Sequence, residues 1–270
     1  MRVALDGGPY ALTTGLDGAL WVTLVQAGEI ARVTVEGEVT RFAAGEKPKQ
    51  ITPRGWFTYA GGLGRITPDG TVSTMKAQGA PYGIVEAPDG AVWFTAADMI
   101  GRFDGGLTWF PTPSTPAMIT VGNDGALWFT LNATSAVGRL TLDGRLTVRE
   151  LPTRQAGPVG ITATHDAVWF TELLAGQIGR IAADDVIQEL PLPDRESKPH
   201  AVIAAQSDGV WVSLWGTHAI AHISDDGEYA EIALEPGAEP HGMAIGPDDA
   251  LWVACEAGYL ERIGSLQRIS

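Results

Sequence analysis

Glu239-Pro240-His241 and Glu256 bring two carboxylates and an imidazole into one short stretch near the C-terminal end, and Lys198-Pro199-His200 carries a second Pro-His pair. Two carboxylates with imidazoles beside them can hold a hard divalent cation and still leave one histidine for acid–base work. With only two protein carboxylates, water and substrate would complete the coordination shell, which suits Mg²⁺ better than zinc. The chain has a single Cys, which excludes a Cys-based structural zinc site and an intramolecular disulfide. It contains no Gly-x-Ser-x-Gly elbow for a serine nucleophile.

These residues need elements that bring them together, and an internal repeat supplies them. Trp21, Trp56, Trp93, Trp128, Trp169, Trp211 and Trp252 recur at separations of 35, 37, 35, 41, 42 and 41 residues. Most sit in strings such as Asp89-Gly90-Ala91-Val92-Trp93-Phe94-Thr95 and Asp124-Gly125-Ala126-Leu127-Trp128-Phe129-Thr130. A Gly-Arg step follows, as in Gly101-Arg102 and Gly138-Arg139, and a Pro-x-x-apolar start precedes each Trp, as in Pro116-Ala117-Met118-Ile119. Asp-Gly between apolar runs marks a hairpin turn. Each copy therefore parses into four short strands: the Pro start, the Trp strand, the Gly-Arg strand and a polar outer strand. Four strands in about 40 residues describe a β-propeller blade, so seven copies predict an all-β, seven-bladed β-propeller with four-stranded antiparallel blades, in one domain over residues 1–270. Arg2-Val3-Ala4-Leu5 is expected to supply the outer edge of the seventh blade and close the ring.

Function is sought where one copy departs from the rest. The residue after the starting Pro runs Tyr10, Lys49, Tyr82, Ala117, Val159, His200, His241; the residue before it runs Gly8, Lys47, Ala80, Thr115, Gly157, Lys198, Glu239. The fourth residue after each Trp runs Val25, Ala60, Ala97, Asn132, Leu173, Trp215, Glu256. The first strand leaves one face of a blade and the Trp strand returns to it, so all three rows lie on one rim. Glu239, His241 and Glu256 should meet there, with His200 facing them from the neighbouring blade. Tyr10, Tyr82 and Trp215 are read as an aromatic wall of the pocket, plain packing being the other reading. Taken singly, a surface Glu is a solvated charge and a His after Pro a tolerated loop residue; it is the convergence that points to a site. His165, His218 and His222 lack such company and read as structural or surface residues, and Cys255 as a small core residue.

Glu239-Pro240-His241-Gly242, the downstream Leu251-Trp252-Val253-Ala254-Cys255-Glu256 and the earlier Lys198-Pro199-His200-Ala201 resemble the virginiamycin B lyase (streptogramin B lyase) family. The resemblance runs along the whole chain, through Gly8-Pro9-Tyr10, Pro81-Tyr82-Gly83-Ile84 and Gly157-Pro158-Val159-Gly160-Ile161-Thr162. The chain differs from the family in a shortened blade two, around Lys49 to Gly55, and at Leu214, where the family often has Glu. The resemblance implies a carbon–oxygen lyase that linearises type B streptogramins, which are cyclic depsipeptide antibiotics, by Mg-dependent elimination and so confers resistance. It implies that His241 is the general base, that Glu239 and Glu256 serve Mg²⁺, and that His200 contacts substrate.

Composition narrows the alternatives. Lys plus Arg number 18 against 32 Asp plus Glu, a formal net charge of -14, which argues against a nucleic-acid partner. No apolar run approaches about 18 residues, so no membrane partner is expected, and Met1-Arg2-Val3-Ala4-Leu5-Asp6 meets an acid too early for a secretory signal. The expectation is a cytoplasmic monomer acting on a small molecule. The rival readings are a non-catalytic propeller that binds peptides or sugars on its rim, and a metal-dependent lactonase or other hydrolase.

Overall fold

The computed structural model describes residues 1–264. The chain is an all-β, seven-bladed β-propeller: six four-stranded antiparallel sheets and one of three strands, with a single turn of 3₁₀ helix at Asn132–Thr134. No helix among the described residues is long and apolar enough to cross a membrane. The strands gather into two compact units. One comprises residues 1–84 with the segment from Glu235 onward, and the other comprises residues 85–234.

In the first unit, blade one runs through Pro9–Thr14, Leu20–Leu24, Glu29–Val33 and Val39–Ala43. Blade seven runs through Pro240–Ile245, Leu251–Cys255 and Tyr259–Ile263, and Arg2–Ala4 completes it by pairing Arg2 with Glu261 and Ala4 with Tyr259. The N-terminal strand thus covers the outer edge of the last blade, as the sequence predicts. Blade two, shortened as read, keeps three strands, and its innermost strand is reduced to a bridge between Ile51 and Phe57. In the second unit, blades four, five and six start at Pro116, Pro158 and Pro199. Their first strands slip register between the Pro and the third residue after it. In blade three pairing begins only after that slip, at Ile84.

Burial falls from the Trp strands outward. Leu127–Leu131 is buried at every position, whereas the outer Leu146–Glu150 is mostly exposed. A Trp strand is covered on both faces because neighbouring sheets stack on it. Trp252, for example, packs with Leu12 and Leu20 of blade one, and Trp93 with Ile119 and Leu127 of blade four.

The repeating string has a physical cause. The aspartate of the Asp-Gly turn accepts a bond from the indole Nε1 four residues on: Asp17 from Trp21 at 3.0 Å, Asp124 from Trp128 at 3.2 Å, Asp248 from Trp252 at 3.1 Å. Its other oxygen accepts from the arginine of the third strand, as in Arg139 to Asp124 and Arg262 to Asp248, both at 2.6 Å. Three repeated residue types thus form one clasp in each of blades one, three, four and seven; blade two has no aspartate in that turn, and in blade five Asp166 keeps Arg180 but not the Trp169 indole. Where His222 replaces the arginine, its ring packs at a tilt of 49° against Trp211, centroids 4.7 Å apart, and Nε2 lies 2.8 Å from Asp208 O.

The Gly of Gly-Arg answers to the residue it pairs with. A Cβ added to Gly138 would come within 2.2 Å of the Phe129 ring, and one on Gly179 within 2.0 Å of Phe170. In blades one and six, where the partner is Val, the position takes Ala, with Val22 opposite Ala31 and Val212 opposite Ala221; in blade seven Val253 faces Glu261. Gly138→Ala should therefore cost about 1–3 kcal/mol by overpacking, and Phe129→Val in the same chain should recover part of the loss. Thermal unfolding of the single and double variants measures this; equal Tm for Gly138→Ala and wild type would refute it.

Candidate active site

The three variable rows meet through backbone bonds that recur from blade to blade. The carbonyl before the starting Pro accepts from the amide four residues after the Trp: Gly8 from Val25, Gly157 from Leu173, Lys198 from Trp215 and Glu239 from Glu256, the last at 3.1 Å. Side chains at these positions therefore leave the chain side by side. The residue after the Pro is fixed from the preceding blade. Thr23 Oγ1 donates to Lys49 O, Thr58 to Tyr82 O, Thr130 to Val159 O and Thr171 to His200 O, at 2.6–2.9 Å. These are rigid mounts.

In the first unit the mounts carry Tyr10, Tyr82, Glu239, His241 and Glu256. His241 is buried, and its Nε2 lies 2.8 Å from Glu256 Oε2. The contact with Glu256 fixes the orientation of the imidazole ring. Burial pushes the imidazole below its ordinary pKa, against the bond and charge of Glu256 and the charge of Glu239. His241 is accordingly neutral at neutral pH, the state a base requires. The Tyr10 ring packs on the imidazole, centroids 4.7 Å apart, and its hydroxyl is hydrogen-bonded to that of Tyr82. Burial raises both phenols above their usual pKa, so this pair stays protonated. Gly242 lets the two strands close: a Cβ there would lie 2.7 Å from Tyr10 O.

Two residues join this group that the variable rows did not single out. Gln26 donates Nε2 to Glu256 Oε1 at 3.2 Å; it lies one position beyond the row inspected. The Lys49 ammonium sits 5.2 Å from the Tyr82 ring centre, and burial, with the nearby Lys47, lowers its pKa. Lys49 was visible in the post-proline row as its only lysine.

His200 and Trp215 belong to the second unit. His200 is anchored by Thr171, and the Trp215 ring carries Lys198 Nζ at 5.2 Å from its centre. Cys255 is fully buried, and burial pushes its thiol up to about 12, as befits a core residue.

The donor set for a metal in the first unit is Glu239 and Glu256. Each oxygen of Glu256 already accepts one bond and keeps a lone pair for a cation; two carboxylates make a hard, open site that fits Mg²⁺ with water and substrate in the remaining positions. With His241 they do not close into a cage: among the described residues, the three-residue group whose ligand atoms lie within 4.8 Å of one another is His165, Asp166 and Asp225. His165 therefore has the acidic company that the sequence reading denied it, supplied by Asp225 from the next blade. There Asp166 is already paired with Arg180 at 2.6 Å.

Glu239 also has a left-handed backbone, with φ of 51°, as have Lys47, Ala80 and Lys198 before their own prolines. Gly8 and Gly157 hold the same place with glycine, and a left-handed non-glycine residue costs about 1–2 kcal/mol. The carboxylate is kept at the expense of local stability. Glu239→Gly should leave Tm unchanged or higher while turnover falls, which thermal melts and product assays on one sample would show; lost stability with retained turnover would overturn this reading.

A family model described as the virginiamycin B lyase family matches residues 1–263. The chain belongs to that family. A virginiamycin B lyase from Nocardia farcinica is 42% identical over 259 residues, covering 91% of this chain and 77% of the relative. A solved streptogramin B lyase structure superposes with a TM-score of 0.89 at 33% identity, covering 97% of each chain. So does a catalytically inactive His-to-Ala virginiamycin B lyase from Staphylococcus aureus solved with quinupristin, with a TM-score of 0.90, 33% identity and 97% coverage of both chains. As a virginiamycin B lyase family member, the chain is placed among enzymes named as lyases, with a relative that binds a small molecule in the crystal.

Proposed function

We propose that this protein opens the lactone of type B streptogramins by elimination. The observation that carries the reading is the buried, neutral His241 held against Glu256 at 2.8 Å and packed on Tyr10, in a family where a His-to-Ala relative is inactive. The ester to be opened joins a C-terminal carboxyl to a threonine side-chain oxygen. His241 takes the threonine Cα proton; the Cα–H electrons form the Cα–Cβ double bond, and the Cβ–O bond breaks to release the carboxylate. The product is a linear peptide ending in dehydrobutyrine, isomeric with the substrate. An α-proton is poorly acidic, so charge developing on the adjacent carbonyl must be stabilised. Glu239 and Glu256 would hold Mg²⁺, which supplies that stabilisation as a Lewis acid. Tyr10 and Glu256 fix the plane of the imidazole, Tyr82 braces Tyr10, and the family resemblance assigns His200 a contact with substrate. Trp215 offers an aromatic face to the depsipeptide rings.

Mass spectrometry of a type B streptogramin incubated with the protein and Mg²⁺ tests the reading. A product of unchanged mass and altered retention is expected. A gain of one water would replace elimination by hydrolysis, and unaltered substrate would leave a rim that binds without catalysis.

A further inference from the structure

Glu172 has no place in that chemistry. It ends the Trp strand of blade five, Ala167–Glu172, and is fully buried. The equivalent positions are Leu24, Tyr59, Ala96, Leu131, Leu214 and Cys255, so an acid stands where the repeat otherwise puts mainly apolar residues. Its Oε1 has no hydrogen-bond partner among the described residues. Its Oε2 accepts from Gln177 Nε2 at 2.7 Å, across the strand pair, and the same Nε2 donates to Thr153 Oγ1 at 3.0 Å. Gln177 Oε1 in turn accepts from Arg195 Nη2 at 3.1 Å. The charged groups facing Glu172 are Glu189 on the outer strand and Arg195 in the loop beyond it. Glu189 is engaged by Thr153, from its amide at 2.9 Å and its hydroxyl at 2.7 Å.

This chain of bonds leads to His200. Arg195 lies in the loop between Pro191 and Pro199, and that loop delivers Lys198-Pro199-His200 to its strand. Thr171, next to Glu172 on the same strand, holds the His200 carbonyl. One strand end thus grips His200 itself and, through Gln177 and Arg195, the loop leading into it. We propose that Glu172, Gln177 and Arg195 form a positioning clamp for His200, closed while Glu172 carries its proton and loosened when it ionises.

The electrostatics support the two states. Burial pushes the Glu172 carboxyl up to about 7, the bond from Gln177 and the charge of Arg195 opposing it and Glu189 adding to it. A folded-state value above the unfolded one means that the stability from this group is full below about pH 4.3 and is lost as pH rises through about 7. Once ionised, a charge in this dry site draws the Arg195 guanidinium from Gln177 Oε1, and the loop moves with it.

The activity arm rests on the lyase reading; a second arm does not. Between about pH 6 and about pH 8.5, KM for a type B streptogramin should rise at least about threefold in the wild type with kcat much less changed. Glu172→Gln, which keeps an acceptor but cannot ionise, should flatten that rise. Arg195→Ala should hold KM high throughout. Independently, hydrogen exchange of amides 194–198, corrected for intrinsic rate, should quicken above about pH 7 in the wild type but not in Glu172→Gln. Glu172→Leu restores the residue type of blades one, four and six and should expose these amides at every pH. A wild-type pH dependence of KM and exchange in Glu172→Gln would overturn the clamp. Exchange behaving as expected in a protein with no turnover would keep the clamp and sink the lyase reading.

Discussion

Replacing His241 with Ala is expected to lower turnover by about 10²–10⁴-fold, the range for removal of a positioned base, while the propeller stays folded. The unit that carries His241 offers no substitute. No other histidine occurs in the unit that carries His241. The equivalent positions there hold Tyr10, Lys49 and Tyr82; the phenols are held protonated by burial, and the ammonium, though lowered in pKa, is not set against the carboxylates. The loss should fall on kcat, because the imidazole acts on the proton in flight rather than on binding. Added imidazole should restore part of the activity by entering the space left beside Tyr10, a rescue that a structural defect would not show. Chromatographic assay of lactone opening decides it: turnover near the wild-type level in the Ala variant would remove His241 from the mechanism.

The second large effect concerns the carboxylates. Treating the wild type with EDTA should cost about 10²-fold or more in turnover, and Mg²⁺ should restore it, if a cation stabilises the charge developing next to Cα. Glu256→Gln should be the more severe of the two single changes. It neutralises one of the two carboxylates that would hold the cation and also replaces the charged partner of His241 Nε2 by a neutral amide, whereas Glu239→Gln neutralises a carboxylate alone. Neither variant should recover in excess Mg²⁺. Full turnover in EDTA, or a Glu256→Gln variant as active as the wild type, would sink the metal role. Retained streptogramin binding in EDTA with no product would separate chemistry from binding.

The fold was legible because its cause is local and repeated. In four blades the Trp is clasped by an aspartate four residues before it and by a third-strand arginine, and each Phe that follows a repeat Trp faces a glycine on the next strand, so the period is written into residue types at short range. The N-terminal strand could be placed by edge-strand reasoning alone, since an unfinished sheet was left at the other end of the chain. What the residue pattern did not show was the use of individual side chains. Glu172 was detectable as an acid in a row otherwise mostly apolar, but its row had no evident tie to the rim. Asp225 could not be joined to His165 from spacing, because they sit on separate blades and meet only by packing.

The site divides in the same way. From the residues alone came the seven blades, the rows in which function varies, and the carboxylates and imidazoles that break the repeat, because identity and period are properties of the chain. Only tertiary structure decided that Gln26 reaches Glu256 across 230 residues of sequence, that Tyr10 lies on His241, and that His241 Nε2 faces a carboxylate. Rotamer, burial and hydrogen-bond partner depend on which distant strands stack, and that stacking is set by the sum of core contacts rather than by any motif.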